Sequence, residues 1–577
     1  MNYKLKYNLS HSAENCLTEL LTARGVENID GYMNPSKEYE LNPYLLDNIR
    51  EAADLLYKHL ENDSNILIVQ DADTDGICSA AMMWLYIKDF YPKARLEYVC
   101  HEHKQHGLED IIEDVEESDY DLIILPDASS FDINEHKRLQ DAGKEVLVLD
   151  HHHAESYSPY AVVVNNQLSS NYSNKFFCGA GVVYKFLMVM DDVFGESGYC
   201  EKYMDLCALA NVADCMSMKH PETRYYIIEG LKKINNDGLK AFINQQSYSL
   251  FKETKELGYI NVAFYIVPLL NAIVRVGTME EKRLLFDAFI NPHKLIQTDK
   301  RGAKQGDMEE TAIEMARRAS NARNRQNRIK EKATELLDMR IQKYALLDNK
   351  ILLIEVTDKD NIPQELRGLI CTQFVNRYNR PCAILAKNSE GYLRGSMRGN
   401  DAFSEVPSFK KFLEDSNFVE YVQGHPNAAG CSIHESNIEK LLEYANNTIS
   451  EEGLVNTYYV DYVFEDNENF NSILLQIAEH PELWGNDIEE PSVIVKDIPY
   501  CREQWFLMGE NKDSCKLTHN GVEYVKFKNI DFAQECKAYE RGTITVYGKI
   551  KKNTWMGKTT PQILIDDYEF NDTTYEF

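Results

Sequence analysis

Between residues 61 and 170 the chain alternates short unbroken apolar runs with polar turns. The runs are Asn65-ILIV-Gln70, Tyr120-DLIILP-Asp127, Lys144-EVLVL-Asp150 and Tyr160-AVVVN-Asn166. Runs that are apolar at every position predict strands buried on both faces. Helix-like stretches, such as Ile77–Phe90 and Glu109–Glu117, separate them. Together they predict a parallel sheet covered by helices on both sides. Acidic residues stand at the ends of these strands. In open α/β sheets that is the edge where ligands bind.

The pattern changes along the chain. Residues 1–60 read as a helical lead-in, and 200–300 as mostly helical. A long helix is predicted from Glu309 to Lys343. Its ends carry apolar periodicity (Ile313, Ala316; Ile329, Ala333, Leu336), but its middle, SNARNRQNR, reads as polar all round. A helix without an apolar stripe there cannot lie in a core, so it is expected to bridge two domains. A second α/β unit follows, with strands Lys350-ILLIEV, Pro381-CAILA and Gly391-YLRGSMRG. Residues 455–577 are rich in Tyr, Val, Ile and Thr at strand spacing, with turns at Asn520-Gly521 and Met556-Gly557. They predict an all-β segment folded as a small barrel. The expected divisions are 1–60, 61–305, 306–345, 346–452 and 453–577.

Composition narrows the function. The 577 residues suggest several folding units, at ~150 residues each. Hydrophobic residues make up 44%, which excludes wholesale disorder. The 92 Asp and Glu outweigh 62 Lys and Arg, a formal charge of −30 that excludes a broad basic nucleic-acid-binding surface. Local counts differ. Residues 314–343 hold nine basic and four acidic residues, 361–411 eight and four, whereas 461–500 hold one and ten. A narrow basic channel on a repelling surface fits these counts. No run of ~18 apolar residues is seen, so no membrane span is expected. The start lacks an apolar signal core, and the 13 cysteines include no C-x-x-C pair. Reduced thiols and a cytoplasmic location are expected.

Four motifs carry chemistry. Asp71-Ala-Asp73-Thr-Asp75-Gly76 follows a strand and precedes a helix. Three alternating carboxylates repel one another unless a cation neutralises them, and hard divalent ions take such oxygen ligands. A calcium loop of the EF-hand type is disfavoured, because Met82 stands where its last glutamate belongs. Asp127 ends a strand, where a turn or cap is the plainer role. Asp150-His151-His152-His153 ends another, and histidine ligates Mn²⁺ while a neighbouring Asp fixes its tautomer. Asn211-Val-Ala-Asp214 follows an apolar helix. Six Asp and two or three His at one sheet edge are enough for two metals sharing a carboxylate. That points to metal-assisted hydrolysis of a phosphoester or phosphoanhydride.

This order of motifs resembles the DHH phosphoesterase superfamily. Gly424-His425-Pro-Asn-Ala428-Ala429-Gly430 resembles the signature of its DHH-associated domain. Several segments resemble the RecJ branch in particular: Phe177-CGAGVVYKFL, Val267-PLLNAIVR-Val276, Gly395-Ser396-Met-Arg398, Leu483-WGNDIEEP and Asn553-TWMGKTTPQILIDD. The last two look like parts of its oligonucleotide-binding-fold domain. The resemblance covers roughly residues 50–577 and implies a 5′-to-3′ exonuclease specific for single-stranded DNA, acting in repair and recombination. Carried over by residue, Asp71, Asp73 and Asp127 hold one Mn²⁺ or Mg²⁺. Asp75, Asp127, His151 and Asp214 hold the other, and a hydroxide on the metals attacks phosphorus. Asp150 orients a histidine, and His152 contacts the scissile phosphate or protonates the leaving oxygen. Arg275, Asn271, Ser396, Arg398, His425 and His106 contact substrate.

One stretch departs from the family. RecJ members carry an arginine and a glycine–tyrosine–glycine run before the second motif. Here the stretch reads His101-EHKQHGL, with His106 at the tyrosine position, so Lys104 or a histidine takes over recognition of the 5′ end. Expected partners are single-stranded DNA and a single-strand-binding protein or helicase, with the chain itself a monomer. Two other readings stay open: a DHH phosphodiesterase for short oligonucleotides or cyclic dinucleotides, and an inactive replication scaffold. The first is usually shorter, and the second loses carboxylates that are intact here.

Overall fold

Apolar residues at every strand position need a hydrophobic layer on each side, and the fold supplies two. In the computed structural model, which describes all residues except 103–105, 252–255, 456 and 575–577, the strand sides diverge. Ile66, Ile68, Leu122, Ile124, Leu147, Leu149 and Val164 face one core. It is completed by the helices Ile49–Glu61, Thr74–Phe90 and Gly179–Phe194. Leu67, Val69, Ile123, Leu125, Val146, Val148 and Val163 face the other, with Leu139 and Val115. Residues 24–326 and 481–489 form this first unit.

Its sheet has five parallel strands, in the order Arg95–Cys100, Asn65–Gln70, Leu122–Pro126, Glu145–Asp150 and Val162–Asn165. Arg95–Cys100 was not anticipated: its pattern alternates, as suits an edge strand with one wet face. The chain leaves Asn65–Gln70 for the edge, then returns to its other side at Leu122–Pro126. This reversal is a topological switch point, where open α/β sheets bind ligands. Asp71 and Asp127 follow these two strands directly.

The helix Gly179–Phe194 is pinned by a buried charge. Lys185 Nζ lies 2.7 Å from Glu222 Oε1, and both side chains are fully buried. Tyr172 and Asn174 donate to Glu222 Oε2, and Lys185 also donates to the Leu41 carbonyl.

The second unit comprises residues 1–23, 327–480 and 490–577. One sheet has the order Tyr421–His425, Ala428–His434, Tyr392–Arg398, Cys382–Lys387 and Leu352–Val356. A second sheet has seven strands, from Tyr462–Glu465 to Phe506–Met508. Its Asn520-Gly521 and Met556-Gly557 turns join neighbouring antiparallel strands, and all four residues have positive φ, as tight hairpins require.

Several expectations are corrected. Residues 1–60 are not simply helical: Asn2–Leu5 is a strand paired in parallel with Thr457–Val460. The segment 455–577 is not all β, since helices Asn471–Glu479 and Ile530–Ala538 lie in it. Ile473, Leu474 and Ile477 supply a helical stripe there that its strand-rich surroundings masked. The helix Thr311–Lys343 is not polar all round in its middle. Ala319 and Ala322 extend a buried stripe from Ala312, Met315 and Ala316 in the first unit, while Ala333, Leu337 and Ile341 are buried further on. Small alanines fill a core face without raising apparent hydrophobicity. An apolar helical stretch long enough to span a membrane does occur, at Tyr259–Val276. Asn, Pro and Arg interrupt its sequence, and it packs half-buried in the first core through Val262, Ile266, Leu270 and Ile273. Finally, within the expected division 453–577, Pro481–Glu489 packs in the first unit, whereas Glu490 pairs with Lys551 in the second. Tyr32 Oη donates to the Leu483 carbonyl, Arg24 stacks on Trp484, and Asn486 Nδ2 donates to the Cys215 carbonyl.

Replacing Lys185 with Met should strand the Glu222 carboxylate in the core. The expected loss is about 3–5 kcal/mol, read as a lowered unfolding midpoint in denaturant. An unchanged midpoint would show that Glu222 needs no counter-charge.

Candidate metal centre

The strand ends deliver carboxylates to one place, and the backbone is bent to do so. Asp127 and Ser129 both adopt positive φ, 76° and 85°, an unfavourable region for residues with side chains. Hydrogen bonds hold them there. Asp127 N–H donates to the Leu149 carbonyl at 2.8 Å. Ser129 Oγ donates to Asp132 Oδ2 at 2.6 Å and contacts His136 Nε2 at 3.2 Å. Asn165 Nδ2, at the end of the edge strand Val162–Asn165, donates to both Ser130 Oγ and the His152 carbonyl.

Each motif residue has a defined position. Asp73 caps the helix Thr74–Phe90 by accepting from Gly76 N–H at 3.1 Å. Asp75 accepts from the Gly179 and Ala180 amides, each at 2.8 Å, at the start of Gly179–Phe194. A helix N-terminus favours a carboxylate. Asp150 is buried and accepts from His152 Nδ1, from two backbone amides of the histidine run and from Ser130 N–H. His151 Nε2 lies 3.3 Å from Asp127 Oδ1, 3.6 Å from Asp214 Oδ2 and 3.8 Å from Asp75 Oδ2. His106 Nδ1 lies 2.6 Å from Asp71 Oδ2.

The electrostatics follow from burial and crowding. Burial pushes the Asp127 carboxyl well up, and the charges of Asp75, Asp73, Asp71 and Asp214 add to this. Burial likewise raises Asp71. Burial would raise Asp150 too, but the hydrogen bond and charge of His152 outweigh it and hold Asp150 well below the usual range. The same pair works on His152: burial opposes its charge, yet Asp150 carries it up to about 9. Burial lowers His151, as suits a neutral ligand. The bond to Asp71 raises His106.

Divalent cations fit this set. Asp71 Oδ1 and Asp127 Oδ1 are buried and make no hydrogen bond among the described residues. Such orphaned oxygens are costly unless a cation completes them. Carboxylate oxygens match the preferences of Mg²⁺ or Mn²⁺, and imidazoles among them suit a first-row transition ion such as Mn²⁺. Ligand-type atoms gather within 4.8 Å in three sets, of which the last two share His151: Asp71, Asp73 and His106; Asp127, His151 and His152; and Asp75, His151 and Asp214.

The remaining expected site residues fall into two groups. Asn271 and Arg275 share the helix Val267–Val276, one turn apart, and Asn271 Oδ1 accepts from Thr74 Oγ1 at 3.1 Å. His106, expected to touch substrate, instead contacts a carboxylate, and Lys104 lies outside the described residues. Ser396, Arg398 and His425 gather in the second unit. Ser396 pairs with Gly430 across the sheet, and Ala428 is flanked by Arg398 on one side and His425 on the other. Cross-strand partners share a face, so small residues leave room between these polar ones. Gly368 makes room for the Arg398 guanidinium: a Cβ there would lie 2.5 Å from Nη2.

Some supporting residues escaped the motif reading. Gly179 presses on Asp127, and a Cβ at that position would lie 2.2 Å from its Oδ1. Ser129, Asp132 and His136 act through one another, and Asn165 reaches back to Ser130. The segment Phe177-CGAGVVYKFL contained Gly179, but without any sign of its contact.

A parallel sheet with carboxylates and histidines gathered at its switch point defines a metal-dependent hydrolase. Models of three families match the chain: the DHH family N-terminal domain over residues 65–211, the DHHA1 domain over 348–451 and the RecJ OB domain over 465–567. A protein of the SPbeta prophage of Bacillus subtilis (strain 168), YorK, named as a single-strand DNA-specific exonuclease, is 35% identical over 564 residues, 96% of each chain. The single-stranded-DNA-specific exonuclease RecJ of the same organism is 24% identical over 580 residues, 96% of this chain and 67% of that one. The crystal structure of RecJ with Mn²⁺ from Thermus thermophilus shares the fold, with a TM-score of 0.72 at 19% identity over 99% of this chain and 78% of that one. The chain belongs to the RecJ-like family of DHH exonucleases.

Gly179→Ala should displace the Asp127 carboxylate. Calorimetric titration of the variant with Mn²⁺ should show at least ~10-fold weaker binding, as when groups supporting a metal ligand are removed, with unchanged circular dichroism. Wild-type affinity would show that Asp127 tolerates the added methyl.

Proposed function

We propose that the protein degrades single-stranded DNA from its 5′ end, hydrolysing phosphodiester bonds with two divalent cations and releasing 5′ mononucleotides. The observation that carries this reading is the convergence of Asp75, Asp127 and Asp214 on His151 Nε2, with a buried Asp127 oxygen left without a hydrogen bond. Asp71, Asp73 and Asp127 would hold one cation, and Asp75, Asp127, His151 and Asp214 the other. Bound there, such ions neutralise phosphate charge and lower the pKa of water.

The chain's own groups account for the rest. Asp150 holds the Nδ1 side of His152, so Nε2 is the atom left to donate a proton to the leaving oxygen. Asp150 keeps the ring oriented. Arg275 and Asn271, and in the second unit Ser396, Arg398 and His425, supply donors for phosphate oxygens. Arginine suits that task through its planar fork. The match to the RecJ OB domain and the names of the relatives support a polymer over a dinucleotide. The intact carboxylates argue against an inactive scaffold.

A time course on end-labelled single- and double-stranded DNA tests the reading. With Mn²⁺, single strands should shorten from the 5′ end to mononucleotides, EDTA should stop the reaction, and duplex should resist. Cleavage confined to dinucleotides would sink the proposal. Asp127→Ala should abolish turnover, since it removes a ligand from both cations; near-normal turnover would refute the shared carboxylate. Arg398→Ala should weaken DNA binding by roughly tenfold or more, the worth of one charged hydrogen bond, and leave Mn²⁺ binding alone. Unchanged DNA affinity in a binding titration would remove Arg398 from the substrate grip.

A further inference from the structure

His106 stands where the resemblance implies a substrate contact, yet its surroundings are those of a ligand. Its Nδ1 is 2.6 Å from Asp71 Oδ2, and its ring nitrogen and oxygens of Asp71 and Asp73 lie within 4.8 Å of one another. The other Asp71 oxygen is buried and makes no hydrogen bond. The turn that delivers His106 is fixed from below. Gly107 adopts a φ of 80°, and a Cβ there would lie 2.1 Å from Asp132 Oδ2. The same Asp132 oxygen accepts from Leu108 N–H at 3.0 Å and from Ser129 Oγ at 2.6 Å. One buried carboxylate therefore ties the turn carrying His106 to the bend carrying Asp127.

We propose that His106 is a protein ligand of the first cation, beside Asp71 and Asp73, and that its imidazole tilts this position toward Mn²⁺ over Mg²⁺. The proposal rests on the two-cation reading above. Mg²⁺ takes oxygen ligands and keeps its waters, whereas an imidazole added to carboxylates favours a first-row transition ion. The second position already has His151. With His106, each position has one nitrogen donor, and the chain loses the preference for Mg²⁺ that an all-carboxylate first position would have.

The test uses the full chain stripped of metal and titrated with Mn²⁺ or Mg²⁺ by calorimetry. Pulsed electron paramagnetic resonance of the Mn²⁺-loaded protein counts the coordinated imidazole nitrogens. The wild type should bind two Mn²⁺ and show two such nitrogens. His106→Ala should show one, with Mn²⁺ affinity at one position reduced by at least ~10-fold and Mg²⁺ affinity changed far less. His106→Gln, which keeps the bulk and offers an oxygen, should also show one nitrogen and narrow the gap between the two ions. Two unchanged affinities and two nitrogens in both variants, with a raised KM for single-stranded DNA, would overturn the proposal and return His106 to the substrate. A wild type that binds fewer than two Mn²⁺ would overturn the two-cation reading itself, and this proposal with it.

Discussion

Six carboxylates crowded at one edge of a sheet repel one another, and the first unit is arranged around containing that repulsion. Three of the aspartates are held by different devices. Asp75 sits on the two leading amides of Gly179–Phe194, Asp73 caps its own helix, and Asp150 is wrapped by amides and by His152. Asp127 has a buried oxygen with no hydrogen bond among the described residues and lies 3.3 Å from His151 Nε2. Burial and the neighbouring carboxylates push Asp127 well toward its neutral form. The left-handed backbone at Asp127 and Ser129 is part of the same cost, sustained by the Asp132, His136 and Asn165 contacts.

The sheet and its acidic edge were legible in the sequence because both are local. Four apolar runs give the strands, and an Asp directly after a strand is brought by it to the sheet edge. What depended on distant partners was not legible. Arg95–Cys100 alternates like a surface segment until a neighbour is known. Gly179 looks like any helix-opening glycine until Asp127 is placed beside it. The buried stripe of Thr311–Lys343 is built from alanines, which weigh little in a hydropathy reading. His106 was noticed as a departure, but the sequence could not say that its ring lies against Asp71.

The basic stretches look different once partners are known. Arg317 and Arg318 bind Glu314 and Asp299, Arg325 binds Glu281, and Arg340 binds Asp360. Arg377 and Arg380 pair with Asp338 and Glu451. Much of the local positive excess is thus engaged within the chain. Fewer basic residues are available to a polyanion than the counts suggested, and exposed pairs of this kind add little stability. A surface so acidic leaves phosphate to be captured by particular side chains rather than by a general field.

The first unit is not a continuous piece of chain. It takes residues 24–326 and then Pro481–Glu489, whose Asn486 binds the Cys215 carbonyl, one residue after Asp214. During synthesis the amino-terminal part emerges first and folds first, but this unit stays incomplete until residue 489 has left the ribosome. An unfinished chain therefore lacks the strap behind Asp214, and the centre is assembled in full only once most of the 577 residues have been made. Cutting the protein before residue 481 would not yield a catalytic unit freed of its C-terminal sheet; it would yield one with a piece of its own wall missing.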